Sequence, residues 1–147
     1  MTDFDACFAN IVGLAGGITK VAGVKLRRRI PCVDARRVRD YCRCGLWDKY
    51  RVGLLADQRL ACAVLLGLVR LCNSRPIRFL HEAANKLGTK LSIDAFLDDD
   101  DAAAINAIKD QDALLWNYKV LVAKWLEYRA WLAGKDKPKW LEQLLRI

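Results

Sequence analysis

The chain has 147 residues, of which 54% are hydrophobic and 29% charged, a balance that excludes a disordered protein and fits a single domain spanning residues 1–147. A chain of that length can bury roughly 68–70% of the surface its unfolded form exposes, so no disulfide or metal staple is required of its cysteines. The 25 Lys and Arg against 17 Asp and Glu leave a formal charge of +8, which favours an anionic partner surface but does not bear on the fold.

Taken in chain order, Thr2 can cap a first helix in which Phe4, Phe8, Ile11 and Val12 recur at helical spacing, with Gly13, Gly16 and Gly17 ending it. The stretch GLAGGITKVAG gathers glycines where a backbone comes close to something or takes positive φ, yet it contains no carboxylate or histidine. Lys25 to Arg43 then holds Lys25, Arg27, Arg28, Arg29, Arg36, Arg37, Arg39 and Arg43 against Asp34 and Asp40 alone. A second helix is expected from Asp34, as cap, to about Cys44, stopped by Gly45. Arg36 and Arg43 should share one face of it while Arg37 and Arg39 point elsewhere.

A third helix, from about Asp57 to Cys72, is apolar nearly all round and is therefore the buried centre. Pro76 opens a fourth that Gly88 ends. After the loop GTKLSIDAFLDDDD come a short helix, a long one from about Asp112 to Ala133, and a last one opened by Pro138. On the long helix, Leu114, Leu115, Tyr118, Leu121, Val122, Trp125, Leu126 and Tyr128 form an apolar stripe best read as core. Nothing reads as a strand, so the expected class is all-α.

The six cysteines lack zinc-ligand spacing: Cys42 and Cys44 sit too close together for a knuckle, and His81 is the chain's one histidine. No metal and no cofactor is expected. His81 has no cysteine or serine placed beside it as a nucleophile and reads as an ordinary helix residue. Cys62 and Cys72 lie in the run LACAVLLGLVRLC, where a free thiol behaves as a small hydrophobe. That run is too short, and too close to Arg59 and Arg70, to span a bilayer. The opening MTDFDACFANIVG has aspartates where a secretory leader needs basic residues, so the expectation is a cytoplasmic protein with six free thiols.

The run YCRCGLWDKYRVGLLADQRLACAVLLGLVRLCNSRPIRFLHEAAN resembles the middle of the phage-type muramidases of glycoside hydrolase family 108, which include endolysins and secretion-associated muramidases. The matching pieces are Tyr41 to Arg43, the aromatic turn at Trp47, Asp48 and Tyr50, the pair Asn73 and Ser74, and the amphipathic Ile77 to Ala84; KPKWLEQLLRI resembles the family's closing helix. The resemblance implies a lysozyme-like helical domain built around a buried central helix. It also implies that a glutamate, two glycines, an aspartate-bearing loop and a Gly-Ile-Thr turn should follow the first helix. Here Gly16 and Gly17 run straight into Ile18 and Thr19, the loop is missing, and Ala15 stands where the glutamate should be. The family's C-terminal half resembles a peptidoglycan-binding module, of whose glycine turn Asp94 alone survives in SIDAFLDDDD.

Glycoside hydrolysis needs a carboxylic acid to protonate the departing oxygen. Without one, the expected function is a catalytically inactive muramidase-like scaffold, plausibly phage or mobile-element encoded, that binds a protein with an acidic surface as adaptor or inhibitor. Its expected contacts are Lys25, Arg27, Arg28, Arg29, Arg36 and Arg43, since arginine suits bidentate contacts with carboxylates and phosphates. Two alternatives stand beside it. One is a residual peptidoglycan hydrolase recruiting Asp3, Asp5 or Asp48; the other is a binder of nucleic acid, or of a complex containing it, through residues 25–43.

Overall fold

The computed structural model describes residues 2–14 and 35–147. The described residues are helical and contain no strand, as the periodicity predicts. Helix α1 spans Phe4–Leu14 and α2 Ala35–Asp40, the latter continuing as a π-helix over Tyr41–Asp48; a 3-10 turn follows at Val52–Leu54. Then come α3 (Gln58–Leu71), α4 (Arg75–Asn85), α5 (Asp99–Asn106), α6 (Gln111–Ala133) and α7 (Trp140–Arg146).

The start of α1 departs from expectation. The Asp3 carboxylate, not Thr2, receives the free backbone N–H groups of Asp5 and Ala6, at 2.8 and 3.4 Å. Thr2 is buried and its hydroxyl is without a partner. An ionised cap also complements the positive end of the helix, which a hydroxyl cannot do as well. Gly13 lies inside α1 rather than ending it, and Gly16 and Gly17 fall outside the described residues.

Gly45 likewise does not stop its helix, which runs on to Asp48. A Cβ at Gly45 would stand 3.1 Å from the Tyr41 ring, so the glycine accommodates an aromatic side chain lying along its own helix. Asp34, the expected cap, is outside the described residues.

Helix α3 is the centre. Asp57 caps it through the Leu60 N–H at 3.0 Å, and every residue from Leu60 to Val69 is buried. It packs against α1, the π-helical segment, α4 and α6. Gly67 sets how closely α4 and α6 approach: a Cβ there would lie 2.6 Å from the Tyr118 hydroxyl and 3.2 Å from Pro76. The Tyr118 hydroxyl donates to the Ala63 carbonyl at 3.4 Å, and burial pushes its ionisation upward. Burial similarly pushes the Cys42 thiol up to about 12.

The expectation of six free thiols is overturned at one pair. Cys7 on α1 and Cys62 on α3 form a disulfide with a Cα–Cα separation of 4.9 Å. Their helices pack side by side, and Cys7 is one of the residues by which α1 enters the core, which brings two small buried side chains within bonding reach. Cys42 is buried and Cys44 exposed.

Candidate functional site

Of the expected basic contacts, Lys25, Arg27, Arg28 and Arg29 lie outside the described residues, as do Ala15, Gly16, Gly17 and Thr19. Arg36 is exposed on α2. Arg43 does not stand apart from Arg39: their guanidinium carbons lie 5.0 and 5.6 Å from the centre of the same ring, Phe4. Four residues apart, they are neighbours on a helix surface. Arg43 also pairs with Asp48 at 3.3 Å and Arg39 with Asp5. The two arginines thus roof a core aromatic and are held by their own carboxylates.

The remaining matched positions have structural work. Trp47 is buried edge-on to Phe4, ring centres 5.6 Å apart, with its indole nitrogen 3.0 Å from where a Cβ on Gly53 would be. Tyr50 is half-buried beneath the Lys49 ammonium. Asn73 accepts the Arg75 N–H at 2.9 Å, starting α4. Of the carboxylates that a recruited hydrolase would use, Asp3 caps α1, and Asp5 and Asp48 are exposed ion-pair partners.

A second surface was not legible as one. The stripe on α6 is core at Leu114, Leu115, Tyr118, Val122 and Leu126, but Tyr128, expected among them, is 56% exposed. Beyond Leu126 the large apolar side chains of the helix stand in solvent: Trp131 and Leu132 are 76% and 56% exposed. Tyr128 and Trp131 stack, with ring centres 6.3 Å apart. Half-buried Trp125 continues the patch inward beneath the guanidinium groups of Arg75 and Arg129, at 5.0 and 5.6 Å from its ring centre. Exposed Lys124, Lys135, Lys137 and Lys139 lie close to these residues in sequence, with Glu127 taken up by Lys137 at 2.6 Å. The usable signal in the sequence was length, because a helix of 23 residues runs about 35 Å and outreaches its neighbours.

His81 is the third feature. On α4 it is wholly buried, and neither ring nitrogen has a hydrogen-bond partner. Asp94 Oδ1 lies 3.9 Å from Nδ1 and Asp101 Oδ2 3.6 Å from Nε2. The chain after α4 is folded back by Asn85, whose side chain bonds the Leu91 N–H and carbonyl at 2.7 and 2.8 Å and the Thr89 hydroxyl at 2.9 Å. Asp98 caps α5 through the Asp101 N–H at 2.7 Å, and Asp99 pairs with Arg51 at 2.7 Å. Asp98, Asp99 and Asp101 thus serve as cap, ion-pair partner and neighbour of His81 in turn.

Among the described residues, no helix is long and apolar enough to cross a membrane. No known protein family, no curated protein and no solved structure matches the chain.

Proposed function

We propose that the chain is a non-enzymatic binding scaffold whose partner is a protein with an acidic surface. The observation that carries this is the exposed end of α6, where Tyr128, Trp131 and Leu132 stand in solvent in a stretch that also holds Arg129 and several exposed lysines. Trp, Tyr and Arg are the residue types that concentrate binding energy when a partner desolvates them. The surrounding cations select an acidic partner and, with the basic segment from Lys25 to Arg43, speed its approach. The resemblance to family 108 muramidases enters as the origin of the helical scaffold, with Ala15 in the glutamate position as the reason it would not hydrolyse glycan. A cytoplasmic location remains part of this reading; the Cys7–Cys62 bond pulls the other way, toward an oxidising compartment.

The test is a pull-down from the native host with the parent protein and a Tyr128→Ala, Trp131→Ala double variant as baits, followed by titration of the recovered protein. An acidic protein held by the parent and weakened at least tenfold by the double variant is the expected result. Retention of the same partner by the double variant would overturn the assignment of the surface. Recovery of nucleic acid, with binding that falls steeply as salt rises, would replace the proposal with the nucleic-acid reading. Clearing of permeabilised cells by repurified protein would restore the hydrolase.

A further inference from the structure

We propose that His81, Asp94 and Asp101 form a binding site for one divalent transition-metal ion of the zinc type, independent of whichever partner the scaffold binds. One ring nitrogen of His81 and one oxygen of each carboxylate lie within 4.8 Å of one another. The acidic residues alone would mean little at the start of a helix. What distinguishes this place is a histidine with no solvent exposure, both of whose nitrogens lack hydrogen-bond partners while facing two carboxylates. Buried polar groups are almost always satisfied, so an orphaned imidazole aimed at anions marks the place of a missing positive charge.

The spacing separates the two ways of supplying that charge. A protonated imidazole clasped by carboxylates would make N–H···O bonds of about 2.7–3.2 Å. Nε2 and Asp101 Oδ2 are 3.6 Å apart, too far for that bond. Two ligands each about 2.0–2.2 Å from a shared tetrahedral ion stand about 3.3–3.6 Å from each other, which is the separation found. Asp94, 3.9 Å from the other nitrogen and half exposed, supplies the third donor from the solvent side, within the 4.8 Å that encloses one ligand atom of each residue. The mixed nitrogen and oxygen donors favour zinc, or a neighbour such as nickel, over the all-oxygen preference of calcium and magnesium.

The Asp94 carboxylate is held by a backbone donor, and the backbone of Asp101 is fixed by the cap of its helix. The Phe96 N–H donates to Asp94 Oδ1 at 2.9 Å, and Asp101 sits in the first turn of α5 with its own N–H bonded to Asp98. Such outer contacts hold ligands for an ion. The bound ion would join α4, the connection after it and α5, fixing the stretch that presents Ile93 and Phe96 to solvent.

The test uses full-length protein stripped with chelator and titrated calorimetrically with Zn²⁺, with Mg²⁺ and Ca²⁺ in parallel. One Zn²⁺ per chain is expected, with a raised thermal midpoint and affinity weakened about tenfold or more by Asp101→Asn and by Asp94→Asn. Asp94→Asn changes a half-exposed side chain, and Asp101→Asn keeps the shape of a mostly covered one, so folding confounds them less than it would a His81 replacement. Nitrogen NMR of the His81 ring supplies a second readout: Zn²⁺ should move one ring nitrogen to a metal-bound shift. Three results would overturn the site: no Zn²⁺ binding, binding unchanged in both aspartate variants (which would place the ion on thiols such as Cys44), or Mg²⁺ binding as well as Zn²⁺.

Discussion

Helix α3 and the far end of α6 are both rich in large apolar residues, and they meet opposite fates. From Leu60 to Val69 every side chain of α3 is covered, because α1, the π-helical segment, α4 and α6 all lean on it. Past Leu126, α6 carries Tyr128, Trp131 and Leu132 into solvent. Hydrophobicity alone therefore does not separate core from contact surface in this chain; what separates them is whether another element reaches that far. The first region is expected to govern stability and the second binding, and each substitution below tests that division.

The largest effect is expected in α3. Leu65→Ala removes a fully buried side chain and should cost about 2–5 kcal/mol by denaturant titration. Gly67→Ala, which would force a methyl against the Tyr118 hydroxyl and Pro76, should cost about 1–3 kcal/mol although it removes no atom. A neutral Gly67→Ala would mean that α4 and α6 are not seated closely on α3.

Alkali should find the same region. The Cys42 thiol ionises ordinarily at 9.0 and is pushed up to about 12 by burial. Above 9.0 the unfolded chain loses this proton while the folded chain keeps it, so stability present below that pH should decline between those values by about 1.4 kcal/mol per pH unit. Tyr118, raised in the same direction from 10.0, adds to the loss. Equilibrium unfolding across pH 8 to 11 would reveal it, and Cys42→Ala should flatten the lower part of the curve.

Smaller still is the cap of α6: Asp110→Ala removes the acceptor of the Ala113 N–H at 2.8 Å and should cost about 1 kcal/mol. At the bottom of the scale, Tyr128→Ala and Trp131→Ala should each change stability by no more than about 0.5 kcal/mol, measured by thermal or denaturant unfolding. A loss of several kcal/mol at Trp131 would mean that this end is packed after all, and the comparison would collapse.

The all-α class, the buried third helix and the Pro76 start were legible because each rests on a local rule: periodicity, an apolar run or a missing N–H. Misreadings occurred where a local rule met a distant neighbour. Gly45 reads as a stop signal until the Tyr41 ring is seen filling the space its side chain would need. Tyr128 continues the stripe of α6, but period 3.6 does not record where the covering helices end. Cys62 reads as a lone apolar thiol because its partner Cys7 is 55 residues away. The two carboxylates near His81 had no signal in the sequence, because they arrive through a connection that Asn85 folds back and no spacing rule spans such a connection.

The Cys7–Cys62 bond makes the first part of this protein a ring in the covalent sense, so the backbone is no longer the sole thread holding α1 to the rest. A single protease cut at any peptide bond between those cysteines opens the ring without releasing a fragment. The cut protein should therefore run as one species without reductant and as two with it, and its α1 should stay seated against α3. Peptide mapping of such a nicked sample under both conditions would read the bond directly, and a thiol titration of denatured, unreduced protein should count two fewer thiols than after reduction.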